Sequence, residues 1–235
     1  MSVTQLANDF HAWSYANDDT TDEGPILEVS AGVHSIVGTT QIRSGFAEKY
    51  LIRAAAGAEY QGILTDPSTI ATIDFQGGEL YFRKPNITFE NVYVKHYDHK
   101  VTSDDYSNVV FKNCALDAQQ FLANPCLGGA NYENCHIIIE STNTEDSTVA
   151  QAIYLQGSVS ASLLSCTIIN ESGVANGAFG TVHTSSDRPL SINQTVVFAT
   201  NVVAFGNTGT GTISGDYNAG HDATLPGDNS PIDTR

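Results

Sequence analysis

The residues best suited to chemistry are few, and their spacing weakens most of them. His96-Tyr97-Asp98-His99 has the H-x-x-H spacing of a metal site. On a strand, residues three apart point to opposite faces, so only a turn or one helical turn could bring both imidazoles together, with Asp98 as a third ligand. Lys95 and Lys100 flank the segment and oppose a bound cation, so a polar corner or surface loop is the expectation. The carboxylates Asp104, Asp105, Asp117, Glu140, Glu145, Asp146 and Asp187 are the candidates for a hydrolytic pair, which needs two carboxyl groups about 5–9 Å apart. Asp104-Asp105 falls in the polar run 102–108, and Glu145-Asp146 in the run 141–150, both of which read as turn or loop. The nearest cations, Lys100 and Arg188, also fall in turns. His136 and His183 are isolated and read as outward surface residues. Cys114, Cys126, Cys135 and Cys166 contain no C-x-x-C pair and read as reduced, buried thiols. Glycosylation sequons begin at Asn86, Asn170 and Asn193, but they signify nothing without secretion. No phosphate-binding loop or nucleophile elbow is present. No catalytic, cofactor-binding or metal-binding residue is assigned.

The elements that would have to position such residues are more legible. Six segments share one pattern, beginning at Ile87, Val109, Ala130, Ala161, Leu190 and Gly211. Aligned on Phe89, Phe111, Tyr132, Leu163, Ile192 and Ile213, they recur at steps of 22, 21, 31, 29 and 21 residues. A base of 21 residues fits one coil of a three-sided β-helix, and the two longer steps read as a coil plus an inserted loop. In each coil two alternate apolar residues (Ile87 and Phe89) point inward, a polar corner (Glu90-Asn91) follows, and two more inward residues (Val92 and Val94) begin the next face. The corner column is then Asn91, Asn113, Asn134, Ser165, Gln194 and Gly215. Asn tolerates the left-handed bend and can hydrogen-bond along a stack. The next inward column is Val92, Cys114, Cys135, Cys166 and Thr195. Glu90, Lys112 and Glu133 would stack as alternating charges outside, a structural role for carboxylates and a lysine. Residues 26–36, 50–54, 70–75 and 79–82 read as earlier coils. The prediction is an all-β, single-stranded right-handed parallel β-helix of about seven to nine coils over residues 25–215, with a short N-terminal capping helix within 1–24 and an extended tail over 216–235. Val3, Leu6, Phe10 and Trp13 lie on one face of that helix, which would cover the open end of the core.

Composition limits the partners. The chain has 235 residues and a formal net charge of −16, with 10 Lys and Arg against 26 Asp and Glu. Nucleic acid and anionic membranes are therefore unsuitable partners, since both are bound by clustered basic residues. The N-terminus shows no basic region followed by an apolar one, so no signal peptide is expected, and synthesis in a cytoplasm without export by a visible signal is.

Residues 27–36 followed by Tyr50-Leu-Ile-Arg-Ala-Ala-Ala-Gly57 resemble the opening of pectin-lyase-like β-helices. The N-terminal segment with Leu6 and Trp13, the Phe/Tyr-x-Asn-Cys coils and the ending 216–229 resemble short bacteriophage β-helix proteins. That resemblance implies a virion surface protein: a non-enzymatic capsid decoration or cement protein that binds the capsid shell, self-associating as a trimer, with the insertions 141–157 and 171–189 and the tail supplying contacts. The alternatives it leaves are a tailspike-like rod that binds or depolymerises a polysaccharide, and a bacterial β-helix scaffold. Lyases that resemble this fold need Ca²⁺-binding acids and a basic residue, which the candidates above do not group.

Overall fold

The computed structural model describes residues 26–35, 40–43, 50–62, 66–74, 80–83, 87–95, 109–117, 130–139, 153–155, 160–171, 181–184, 187–199 and 204–220. The expected capping helix lies outside them. So do His96, Asp98, His99, Lys100, Asp104, Asp105, Cys126, Glu140, Glu145 and Asp146.

Within them the chain is a parallel β-solenoid. The first sheet has eight strands in the order Ile26–Val29, Tyr50–Ala54, Ile87–Glu90, Val109–Lys112, Asn131–Glu133, Ala161–Leu164, Leu190–Asn193 and Ile213–Ser214. The second also has eight: Gly32–Ser35, Ala71–Asp74, Tyr93–Lys95, Ala115–Asp117, His136–Ile139, Thr167–Asn170, Val196–Ala199 and Ala219–Gly220. Successive strands of each sheet pair in parallel, so corresponding strands define rungs 1 to 8. A third side carries fewer strands. Thr40–Arg43 pairs with Leu80–Arg83, and Ile153–Leu155, Val182–Thr184 and Phe205–Asn207 form a three-stranded sheet. Coils with three described strands are therefore fewer than the seven to nine expected. Between Lys95 and Val109, and between Asp117 and Asn131, no third-side strand is described.

The first two sheets meet at a sharp corner that the sequence encodes residue by residue. Asn91, Asn113, Asn134, Ser165 and Gln194 all adopt left-handed backbone, with φ between 51° and 58°. The bend turns each corner N–H toward the next rung, where Asn91 donates to Lys112 O and Asn113 to Glu133 O, each at 3.0 Å. Their side chains form the expected ladder. Asn113 Nδ2 donates to Asn91 Oδ1 at 3.1 Å, and Asn134 Nδ2 donates to Asn113 Oδ1 at 2.8 Å. Asn113→Ala is expected to lose about 2 kcal/mol of stability, combining the left-handed penalty with two broken amide bonds. Asn113→Gly should lose about half of that, because glycine removes only the side-chain bonds and keeps the bend free of penalty. Denaturant unfolding of both variants checks it; equal losses would exclude the conformational share.

The inward column after the corner uses small hydrogen-bond donors. The thiols of Cys114, Cys135 and Cys166 each donate to two carbonyls, one two residues back and one in the preceding rung, at 3.2–3.5 Å. Thr195 and Asn218 continue it: Thr195 Oγ1 donates to Asn193 O, and Asn218 Nδ2 to Ile192 O at 2.8 Å. A thiol here is a core filler that also satisfies carbonyls at the bend. Burial and the Cys114 thiol push the Cys135 thiol up, while the Cys135 thiol and burial push Cys166 up. Both remain S–H donors. The three described cysteines are unbridged.

Aromatic stacking fixes the register one position earlier. Phe89 and Phe111 stack at 4.9 Å between ring centroids, and Phe111 and Tyr132 at 5.5 Å. The strand partners Phe89↔Phe111, Phe111↔Tyr132, Tyr132↔Leu163 and Leu163↔Ile192 reproduce the expected alignment. The last rung departs from it. Leu190, not Ile192, faces Ile213, so the corner falls on Tyr217 (φ 59°) rather than on Gly215. Asn218 then takes the place expected to follow Gly215. Residues 216–220, assigned to the tail, belong to the stack, for Ala219–Gly220 pairs with Val196–Val197.

Candidate interaction face

The outer surface of the first sheet carries the expected charge column, and it begins further upstream. Strand register aligns Glu28, Arg53, Glu90, Lys112 and Glu133 in alternating sign. Arg53 Nη2 lies 2.7 Å from Glu28 Oε1, and Lys112 Nζ lies 3.3 Å from Glu133 Oε2. All four side chains are substantially exposed, so each pair contributes under about 1 kcal/mol. Beside that column, the alternate outer positions Asn131, Ser162 and Ser191 are polar and uncharged, while the column itself continues as Leu164 and Asn193. Ser162 Oγ donates to Asn131 Oδ1 at 2.6 Å, and Asn193 Nδ2 to Ser191 Oγ at 3.2 Å.

The second sheet is divided differently. Over rungs 2 to 4 its outer side chains Thr72, Tyr93, Ala115 and Asp117 are buried, while Asp74 and Lys95 on the same face stay partly exposed. The described residues between the first-sheet and second-sheet strands of rung 2, 55–62 and 66–70, contribute to that cover as a strap. Tyr60 N–H donates to Asn91 O at 2.8 Å, and Thr72 Oγ1 to Pro67 O at 2.9 Å. Tyr60 and Ile70 pack with Tyr93 and Ala115 in a small apolar cluster outside the main core. The Tyr60 hydroxyl ends 3.1 Å from His136 Nδ1 in rung 5. Burial pushes the Tyr60 phenol up to about 12, so the phenol stays protonated and shares a hydrogen bond with Nδ1. His136 is thus outward-facing as expected, but covered.

Burial also holds the His136 imidazole below its usual range, and its Nε2 is buried without a hydrogen-bond partner. The unfolded chain therefore binds this proton more readily than the folded one. The folded state keeps its full stability above the unfolded value of about 6.5 and loses it as pH falls from there toward the lower folded value. His136→Gln is expected to flatten this part of the stability–pH curve. Urea melts of both proteins at matched pH values measure it, and parallel curves would refute the assignment.

Over rungs 5 to 8 the same face has no comparable cover among the described residues. Beyond His136, which meets the strap, the outward positions are Ile138, Thr167 and Ile169, Val196 and Phe198, and Ala219. None is charged at neutral pH, and Phe198 is 53% exposed. The sequence signal is a break in alternation. Ile137-Ile138-Ile139, Ile168-Ile169 and Val196-Val197-Phe198 put apolar residues on both sides of a strand.

The remaining sequence candidates do not converge among the described residues. Asp117 is buried at 5% exposure on the second sheet. Asp187 and Arg188 are exposed chain neighbours, with Arg188 Nε 4.0 Å from Asp187 Oδ1. His183 lies in the third-side strand Val182–Thr184. Among the described residues no group of three or more His, Cys, Asp or Glu side chains is placed to hold a metal ion. The expected insertions are partly structural: Ile153–Leu155 and Val182–Thr184 are third-side strands, not contact loops. The residues that lengthen coils 5 and 6 precede those strands, leaving the second sheet after Ile139 and Asn170. The strap escapes sequence reading because Tyr60 belongs to no repeat. Comparison with known proteins finds no matching family model, curated protein or solved structure.

Proposed function

We propose that the protein is a non-enzymatic structural rod of a virion, bound to the outside of a phage capsid as a decoration or cement protein. The observation that carries this reading is where the reactive side chains are engaged. Glu28 with Arg53 and Lys112 with Glu133 brace adjacent rungs. The thiols of Cys114, Cys135 and Cys166 bond corner carbonyls, and His136 holds the strap through Tyr60. A stack whose ionisable groups, at these described positions, serve its own rungs is suited to rigid display. Its acidic charge of −16 suits a basic protein surface. The resemblance in the coils and ending supplies the particle. The test is to assemble particles with and without the protein and compare their buoyant density and heat resistance. Loss of the protein is expected to lower both; unchanged particles would sink the reading.

One observation favours a second reading, a polysaccharide-binding rod. The uncharged hydroxyls and amides of Asn131, Ser162, Ser191 and Asn193 occupy the outer face of three successive rungs, offering hydrogen-bond partners to a sugar chain. Incubation with host surface polysaccharide distinguishes it: retention on the polymer supports binding, release of reducing ends supports cleavage, and neither outcome removes it.

A further inference from the structure

We propose that the strap over rungs 2 to 4 is an acid-released flap, latched where the Tyr60 hydroxyl meets the His136 imidazole. This device is a property of the fold and does not depend on the capsid assignment.

The strap is attached at three levels. The chain leaves the first sheet at Ala54 and enters the second at Ala71. Ala71 N–H donates to Ala58 O at 2.7 Å and closes the base of the strap. Tyr60 N–H donates to Asn91 O, which ties the strap to rung 3. The outermost attachment reaches furthest. The Tyr60 side chain packs with Tyr93 and Ala115, in rungs 3 and 4, and its hydroxyl meets His136 Nδ1 in rung 5 at 3.1 Å. Gly57 and Gly62 bracket this segment with φ of 83° and 84°, and a Cβ at either would meet no atom within 4 Å. Two unpacked glycines on either side of Tyr60 are suited to act as hinges.

The latch is intolerant of a proton. Nδ1 meets the Tyr60 hydroxyl, and Nε2 is buried without a hydrogen-bond partner. A neutral ring leaves that one nitrogen unsatisfied. An imidazolium carries an N–H on both nitrogens, so Nε2 would become a charged donor with no acceptor. The described groups around the ring do not supply one. The strap presents the Tyr60 phenol, while its acids Glu59 and Asp66 bond their own turns at Gly57 and Ser68. Rung 4 presents Asp117, diagonal to His136 because Ala115 is the direct partner, and rung 6 presents the uncharged Thr167. Asp74 and Lys95 lie on the same face in rungs 2 and 3. The Cys114 and Cys135 thiols are buried on the inner side of the sheet. Asp117 is the acid nearest by register, and burial still outweighs it, for the imidazole is held below its usual range. The ring therefore takes up a proton by turning out to water. That movement breaks its contact with the Tyr60 hydroxyl and frees the strap between its hinges.

Native-state amide exchange of the full chain at about pH 7.5 and about pH 5, corrected for the intrinsic pH dependence of exchange, tests this. The N–H groups of Tyr60 and Ala71 report on the strap. Those of Asn113 and Asn134, which donate to Glu133 O and Leu164 O, report on the stack itself. Strap protection is expected to fall about tenfold at the lower pH, inside the roughly 30-fold that one imidazole with an open-state value of about 6.5 can supply there. Protection at Asn113 and Asn134 should not change. His136→Gln should abolish the acid step. Tyr60→Phe keeps the ring and removes the hydroxyl. Its strap protection should fall about fivefold at the higher pH, and its acid step should shrink. It carries the test if His136→Gln fails to fold by circular dichroism. Unchanged strap protection in the parent chain, an equal fall at Asn113 and Asn134, or a full acid step in either variant would overturn the proposal. No particle enters these measurements, so they stand or fall apart from the decoration reading.

Discussion

Replacing Phe111 with alanine is expected to remove about 4 kcal/mol of stability, the largest loss from any single truncation in the core. Phe111 is fully buried, and it has aromatic neighbours on both sides: Phe89 at 4.9 Å and Tyr132 at 5.5 Å. Truncating it removes the transfer energy of one large side chain and the facing contacts of two others. It also opens a cavity that parallel strands, held by backbone bonds on either side, cannot easily close. A solenoid adds a consequence that a globular core would not show. Each rung contacts its neighbours, so stability is approximately a sum of rung and interface contributions. Phe111 lies in rung 4, and weakening both of its interfaces should uncouple the rungs before it from those after it. Urea unfolding followed by both tyrosine fluorescence and far-ultraviolet circular dichroism should show an earlier onset and transitions that no longer coincide. Thr88→Ala, on the outer side of the neighbouring strand, should cost less than about 1 kcal/mol. A loss below about 1 kcal/mol for Phe111→Ala would mean that stacking does not hold the coils together.

That column is legible in the sequence for a physical reason. Inward positions of a stacked coil must match in size and chemistry to the rung above and below, so Phe89, Phe111 and Tyr132 recur at the same place. The left-handed corner favours Asn, which fills it in three successive rungs, and the inward column after it takes small side chains, most of them donors. These constraints repeat, so they leave a pattern. The strap has no such pattern. Tyr60 meets His136 across 76 residues of sequence, and one contact made once leaves no periodic trace. The outer face of rungs 5 to 8, without comparable cover among the described residues, is legible in part, since Ile138, Ile169 and Phe198 break the alternation of a one-sided strand. It is obscured because the same residues add to the apparent regularity of the coils. The third-side strands Ile153–Leu155 and Val182–Thr184 are hidden by the length of the segments that contain them. Of the candidate chemistry, the carboxylate and lysine assigned to corner stacking, Glu133 and Lys112, meet as expected, and Arg53 with Glu28 extends that logic upstream. The HxxH segment and most loop acids lie outside the described residues.

The last rung makes the second large prediction. Gly215→Ala is expected to detach the end of the stack. A Cβ at Gly215 would overlap the carbonyl oxygen of Ile192 and lie 2.5 Å from its carbonyl carbon. The backbone there has φ 137°, a conformation L side chains rarely adopt. Neither problem can be solved by a side-chain rotation, because the obstacle is the main chain of the preceding rung. The rung must therefore move away, and it takes its closing bonds with it. Leu190 N–H donates to Thr212 O at 2.9 Å, Gln194 N–H to Asp216 O at 3.1 Å, and Thr195 N–H to Asn218 Oδ1 at 3.0 Å. The strain would cost several kcal/mol if the rung stayed in place. Because the rung is terminal in the described stack, the observed loss is capped at the stability of that rung, about 2–3 kcal/mol. The measurement that separates this from general destabilisation is amide exchange. Leu190, Gln194 and Thr195 should lose protection, while Asn91 and Asn113, whose N–H groups donate within rungs 3 to 5, should keep theirs. Uniform loss across the stack, or unchanged protection at Gln194, would show that the Gly215 contact is not what holds the final rung.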